Sequence, residues 1–213
     1  MSFPYSYIAF EGPIGAETRD LSRMVATALN AELIEDLSAN PFLEDFYKEK
    51  NGAAFQAQLF FLLNRFQILE KLKQRHLFKR LKISNFIMEK DRIYAYQTLS
   101  DSELSIYERL YPMLTANRVM PDLVVYLQMS TERILDVLKR RKEVKHLKIS
   151  PGYVDSIVEA YNRFFFHYDQ TPLIILNAND VNFEKDRQAF KDLLANFEKN
   201  LRGVTYITPR VEA

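Results

Sequence analysis

The chain has 213 residues, 47% of them hydrophobic and 27% charged, enough for one substantial domain with a full core. A formal net charge of +1 gives no global electrostatic case for nucleic acid or an acidic membrane as a partner. With no cysteine, disulfides, thiolate metal sites and cysteine nucleophiles are excluded, and a reducing, cytoplasmic setting is expected.

In chain order, the first residues lack a basic region followed by a long apolar stretch, so no signal peptide is expected. No apolar run approaches the length of a membrane span. Tyr7 to Phe10 is a short apolar and aromatic run ending at Glu11-Gly12, which predicts a buried strand entering a tight loop. Residues 12 to 19 read Gly-Pro-Ile-Gly-Ala-Glu-Thr-Arg. The phosphate-loop pattern is Gly, four residues, Gly-Lys, then Ser or Thr. Gly12 is in place and Gly15 suits a tight turn, but Glu17, Thr18 and Arg19 stand where the pattern has glycine, lysine and a hydroxyl residue. In a working loop, backbone N–H groups cradle phosphates, the lysine neutralises them and the hydroxyl holds Mg²⁺. Here a carboxylate sits where a triphosphate should lie.

A helix is predicted from Thr18 to Leu29 and a second strand over 31–34. Asn40 and Pro41 read as the N-cap and first position of the next helix, which Asn51-Gly52 ends. Residues 53–77 predict a long buried helix, and 82–88 a strand. A polar helical stretch follows, and Ser100 to Glu103 signals the cap of another helix. Residues 121–129 form the clearest strand, suited to a buried parallel sheet. A helix from Thr131 runs into a basic cluster at 139–142, and Pro151-Gly152 reads as a break. A helix over 153–168, a strand over 172–176 and a helix over 183–201 complete the chain. Alternating elements imply an α/β fold: one domain, 1–213, with a parallel sheet of about five strands, helices on both faces and a helical lid at about 139–152.

Some features have structural readings beside functional ones. Gln58 and Arg65 lie about two helical turns apart on one face, as a satisfied polar pair in a largely apolar helix or as ligand contacts. Phe164 to Phe166 reads as core or dimer packing, and the basic cluster as a solvated helix end. His76, His146 and His167 show no metal-ligand spacing.

Six segments together resemble the deoxynucleoside kinase family, especially its bacterial deoxyadenosine/deoxyguanosine/deoxycytidine branch. They are YIAFEGPIGA at 7–16, IEDLSANPFLEDFY at 34–47, FQAQLFFLLNRF at 55–66, EKDRIYA at 89–95, PDLVVYLQ at 121–128 and EAYNRFFFHYDQTPLIILNA at 159–178. The resemblance implies a P-loop kinase-like fold and Glu35 as the base that takes the proton of a sugar 5′-hydroxyl. It implies substrate contacts from Tyr47, Gln58, Arg65, the Asp91-Arg92 pair and Tyr94, and a lid arginine at Arg141. Glu143 falls at a second family arginine, and His146 at a family glutamate. Asn85 replaces an acid that would help hold the metal.

Two readings follow from the altered loop. In the first, the chain is a catalytically impaired or inactive relative that keeps nucleoside or nucleotide binding or acts as an assembly subunit. In the second, it is an active deoxynucleoside kinase using ATP and Mg²⁺. The resemblance also implies a homodimer or a hetero-oligomer.

Overall fold

The computed structural model describes residues 4–36, 39–74, 80–141 and 146–209. Strands and helices alternate along them. The order is β1 (Tyr7–Glu11), α1 (Thr18–Ala28), β2 (Glu32–Ile34), α2 (Leu43–Tyr47), α3 (Ala53–Gln74), β3 (Lys82–Ser84), α4 (Lys90–Thr98) and α5 (Asp101–Thr115). Then follow β4 (Leu123–Gln128), α6 (Thr131–Arg140), α7 (Pro151–Phe166), β5 (Leu173–Asn177), α8 (Arg187–Asn196) and β6 (Val204–Ile207).

All strand pairings are parallel, in the order β2-β3-β1-β4-β5-β6. The period-two geometry of the central strands divides their apolar residues between two cores. Ile8, Phe10, Val125 and Ile174 face a core shared with α1, α6 and α8, represented by Val25, Ile134 and Leu193. Ala9, Val124, Tyr126 and Ile175 face the other, shared with α3, α4 and α5 through Leu62, Ile93 and Tyr107. Helix α7 serves both, with Val154 and Val158 on one side and Ile157 and Tyr161 on the other. Burying each valine, leucine, isoleucine or phenylalanine among them contributes about 1.5–3 kcal/mol, so sheet–helix packing is the main favourable term.

Several element boundaries differ from the sequence expectation. The sheet has six strands rather than about five. Strand β6 was missed because its residues alternate between exposed and half-buried, with no apolar run to announce it; only its pairing with β5 defines it. Strand β3 stops at Ser84, where the Ser84 hydroxyl donates to the Phe86 carbonyl (2.8 Å) and turns the chain out of the sheet. The apolar residues 86–88 stay buried by packing against the second core.

The helix expected to open at Pro41 begins at Leu43 instead. Asn40 makes an Asx turn, its Oδ1 accepting the Phe42 N–H at 2.9 Å. Pro151 starts α7 rather than breaking the chain, with the Ser150 hydroxyl accepting the Tyr153 N–H at 3.2 Å. Helix α3 is seen to Gln74, and the rest of its expected length, with His76, lies outside the described residues. The lid expected at about 139–152 divides between the end of α6, the start of α7 and 142–145, which include Glu143 and lie outside the described residues. The Glu103 carboxylate reaches back to the Ser100 N–H (3.0 Å), as the capping signal predicts. Among the described residues no helix is long and apolar enough to cross a membrane.

Candidate functional site

The loop after β1 leaves the carboxyl end of the central strand, where parallel α/β sheets gather their ligands. Glu11, the last residue of β1, is fully buried and well satisfied. Its Oε1 accepts from the Gly12 N–H (2.7 Å), Lys90 Nζ (2.9 Å) and the Tyr161 hydroxyl (3.1 Å), and its Oε2 from the Ile87 N–H (2.9 Å). Gly12 has no room for a side chain: a Cβ there would lie 2.8 Å from Ala16 Cβ and 3.2 Å from the Leu127 carbonyl oxygen. Gly15 adopts φ +86°, in the left-handed region, against Ile134 and Leu138. Glu17 is also left-handed, with φ 52°. An L side chain there costs about 1–2 kcal/mol relative to glycine. The backbone path suits glycine at position 17, while the side chains at 17–19 do not follow the phosphate-loop pattern.

A cavity of about 260 Å³ opens beside this loop. Ile14, Gly15, Glu17, Thr18 and Arg19 bound one side. Tyr47 from α2, Gln58, Phe61 and Arg65 from α3, Lys90, Tyr94 and Thr98 from α4, and Arg141 and Tyr153 complete the wall. Tyr47, Gln58, Arg65, Tyr94 and Arg141, all expected from the sequence, therefore meet in one place. Tyr47 packs edge-on against Tyr153 at 5.9 Å, and burial pushes its phenol up to about 12. Tyr94 stands edge-on to Tyr161, its phenol also raised by burial. Both rings remain neutral at physiological pH.

Gln58 and Arg65 are fixed by Asp91. Gln58 Nε2 donates to the Asp91 carbonyl (2.7 Å) and to its Oδ1 (3.1 Å). Arg65 Nη1 lies 2.8 Å from Asp91 Oδ1, and its Nε lies 2.8 Å from Asp36 Oδ2 without the alignment of a hydrogen bond. Asp91 is fully buried and does not line the cavity; it positions the two residues that do. Gln58 is hydrogen-bonded within the protein and Arg65 is ion-paired to Asp91 and Asp36, and both also line the open space of the cavity.

Asp91 Oδ2 is buried with no hydrogen-bond donor among the described residues. Burial pushes the Asp91 carboxyl up to about 6, against the pull of Arg65; Asp36 raises it further and Lys90 lowers it. An exposed aspartate titrates at about 4, so Asp91 favours the fold most below that pH, and this contribution is lost as pH rises through the folded value. A carbon-13 carboxyl titration by NMR should place the Asp91 midpoint at about 6. A midpoint below that of an exposed aspartate would show that Arg65 outweighs burial.

Glu35 is placed differently from the expectation of an open base. It follows β2 at the edge of the site and is not among the residues lining the cavity. Arg23 binds it with two nitrogens, Nε at 2.7 Å and Nη2 at 3.1 Å, and Arg19 Nε lies 3.4 Å away. Arg19 and Arg23 are one helical turn apart on α1, so both reach one carboxylate. The Asn85 Oδ1 accepts the Asp36 N–H at 3.1 Å. Arg92 points away from the cavity: it pairs with Glu108 (3.4 Å) and lies over the Tyr96 and Tyr111 rings on an exposed face. Arg141 Nη2 contacts Asp20 Oδ2 at 3.1 Å, tying the end of α6 to α1.

Sequence reasoning missed Lys90, Arg23, Phe61, Thr98 and Tyr153. Arg23 had a signal, its four-residue spacing from Arg19. Lys90 lay inside a quoted segment, but its direction depends on the turn after β3.

The fold has relatives in solved structures that share the P-loop kinase type of sheet. A deoxyadenosine kinase from M. mycoides with products dCMP and a flexible dCDP bound superposes with a TM-score of 0.73 at 22% identity, covering 89% of this chain and 97% of that one. The same enzyme with bound dATP gives 0.72 at 24% identity, over 90% and 97%. In sequence, the chain is similar to the deoxyguanosine kinase of Bacillus subtilis (strain 168), 30% identical over 73% of this chain and 76% of the relative. It is also similar to the deoxyadenosine kinase of Dictyostelium discoideum, 26% identical over 96% and 84%. The family profile "Deoxynucleoside kinase" matches residues 8–202. The chain belongs to the deoxynucleoside kinase family.

Proposed function

We infer that this protein binds a deoxynucleoside in the cavity beside the β1 loop and transfers phosphate from ATP poorly or not at all. One observation carries the reading: Gln58, Arg65 and Tyr94 face the same space as Glu17, Thr18 and Arg19. The first three supply an amide, a guanidinium and an aromatic ring, the donors, acceptors and stacking surface that a nucleobase and its sugar require. The last three do not suit Mg²⁺ and a triphosphate. Threonine carries no charge to neutralise phosphate, arginine cannot ligate a cation, and the Glu17 carboxylate repels the anion. Glu35, the base expected from the family, holds two arginines and has fewer free lone pairs for a hydroxyl proton.

An active kinase is the second reading. The loop's backbone favours it, since Gly15 and Glu17 keep the left-handed turns that a phosphate cradle uses. Thermal shift and calorimetry against the four deoxynucleosides and ATP–Mg²⁺ separate the two. A ligand that binds only the folded state stabilises it by mass action, by about 2.7 kcal/mol at a hundredfold excess over Kd. Stabilisation by a deoxynucleoside but not by ATP–Mg²⁺ is the expected result. Stabilisation by ATP–Mg²⁺, with phosphorylation that Glu35→Ala abolishes, would establish the kinase instead.

A further inference from the structure

Lys90 is the first residue of α4 and lines the cavity together with the β1 loop. Its Nζ lies 2.9 Å from Glu11 Oε1 and 3.4 Å from the Gly12 carbonyl oxygen. An ammonium has three donors, so among the described residues one is uncommitted. The side chain keeps 17% of its exposure, on the cavity side of an otherwise buried contact.

Among the described residues, four cations line this cavity: Arg19, Arg65, Lys90 and Arg141. Three are engaged elsewhere. Arg65 holds Asp36 and Asp91, Arg19 contacts Glu35, and Arg141 contacts Asp20. Lys90 stands against Gly12 at the start of the loop, and its partner keeps other donors when it leaves. Glu11 also accepts from two backbone N–H groups and the Tyr161 hydroxyl. The ammonium can therefore turn toward an anion in the cavity without leaving a buried carboxylate bare. It stands beside the loop whose own lysine position holds Thr18, and it is a flexible point charge of the kind that binds phosphate.

We propose that Lys90 anchors a phosphate group at this site, so that the cavity takes a deoxynucleoside 5′-monophosphate in preference to the nucleoside. The proposal rests on the reading that the cavity takes a deoxynucleoside. Lys90 supplies the charge and Thr18 a neutral hydroxyl donor. A single phosphate satisfies both, whereas a longer phosphate chain along the loop meets the Glu17 carboxylate, a like charge.

Calorimetry with the four deoxynucleosides, their 5′-monophosphates and inorganic phosphate tests this on the full chain. A charge-assisted contact predicts that one monophosphate binds at least about tenfold tighter than its nucleoside. In Lys90→Met the monophosphate's advantage over its own nucleoside, compared within that variant, should vanish. Lys90→Gln keeps a donor toward Glu11 while removing the charge, and should behave alike even where the methionine variant is unstable. Lys90→Arg keeps the charge and should keep part of the advantage. Equal affinity for nucleoside and monophosphate in the wild type, or an advantage that survives in Lys90→Gln, overturns the role of Lys90 and leaves the nucleoside reading intact. Binding of neither ligand overturns both.

Discussion

Replacing Arg65 by alanine should lower the free energy of unfolding by about 3–5 kcal/mol, the range for removing one partner of a buried ion pair. Two carboxylates pair with this guanidinium, and the neutral amides of Asn64 and Gln58 that also donate to them carry no compensating charge. Asp91 is fully buried, and the side chain of Asp36 is only 10% exposed. Removing the arginine leaves Asp91 with a charge that burial already disfavours, and its Oδ2 has no donor among the described residues to compensate. Urea unfolding with an unchanged denaturant slope would measure the loss as stability rather than as a change of unfolded state. The variant should also lose deoxynucleoside binding, because Arg65 forms part of the cavity wall. Arg65→Lys should rescue stability only in part, since one ammonium cannot reproduce two contacts from a rigid fork. A loss as small as that of an exposed pair, about 1 kcal/mol or less, would show that Asp91 takes a proton and that the network is not ionic.

The largest expected gain comes from the loop. The triple variant Glu17→Gly, Thr18→Lys and Arg19→Ser should raise ATP-dependent phosphorylation of a deoxynucleoside by about 10³-fold over the starting protein, because placed charges dominate phosphoryl transfer. Each change has its own cause. Glycine removes a carboxylate from the cavity and relieves the left-handed φ of 52° at position 17. Lysine restores a cation at the loop. Serine restores a metal-binding hydroxyl and takes one of two guanidinium groups from Glu35. Arg23 still binds Glu35 through two nitrogens, so adding Arg23→Ala should increase the rate again. Steady-state assays with ATP–Mg²⁺ measure both steps. No gain in a folded variant would mean that the loop is not what limits transfer, and an ordinary enzymatic rate in the unaltered protein would sink the impaired reading.

Much of the candidate site is legible in the sequence. Gln58 and Arg65 were placed together by helical spacing, and the loop by its two glycines and the strand before it. Tyr94 followed from the family segment that contains it. Arg92 shows the limit of that kind of transfer. It is adjacent to Asp91 in sequence, but neighbouring residues on a helix are about 100° apart. When Asp91 turns inward to Arg65, Arg92 is carried outward to Glu108 and Tyr111. Glu35 illustrates a different limit. Its position after β2 was readable, but its partners sit 12 and 16 positions earlier on another element.

Sequence alone determined the alternation of strands and helices, the buried central strands, the place of the altered loop and the face shared by Gln58 and Arg65. Those features are local: they depend on periodicity, on glycine at tight turns and on the identity of single residues. Tertiary structure decided the rest. It added β6, which has no apolar pattern of its own and exists through pairing with β5. It closed Glu35 between two arginines, and it brought Lys90 to the loop from 78 positions away. The physical reason is common to these cases. A charged side chain's partner is chosen by what the packed sheet and helices bring within about 3 Å of it, and no spacing along the chain encodes that distance.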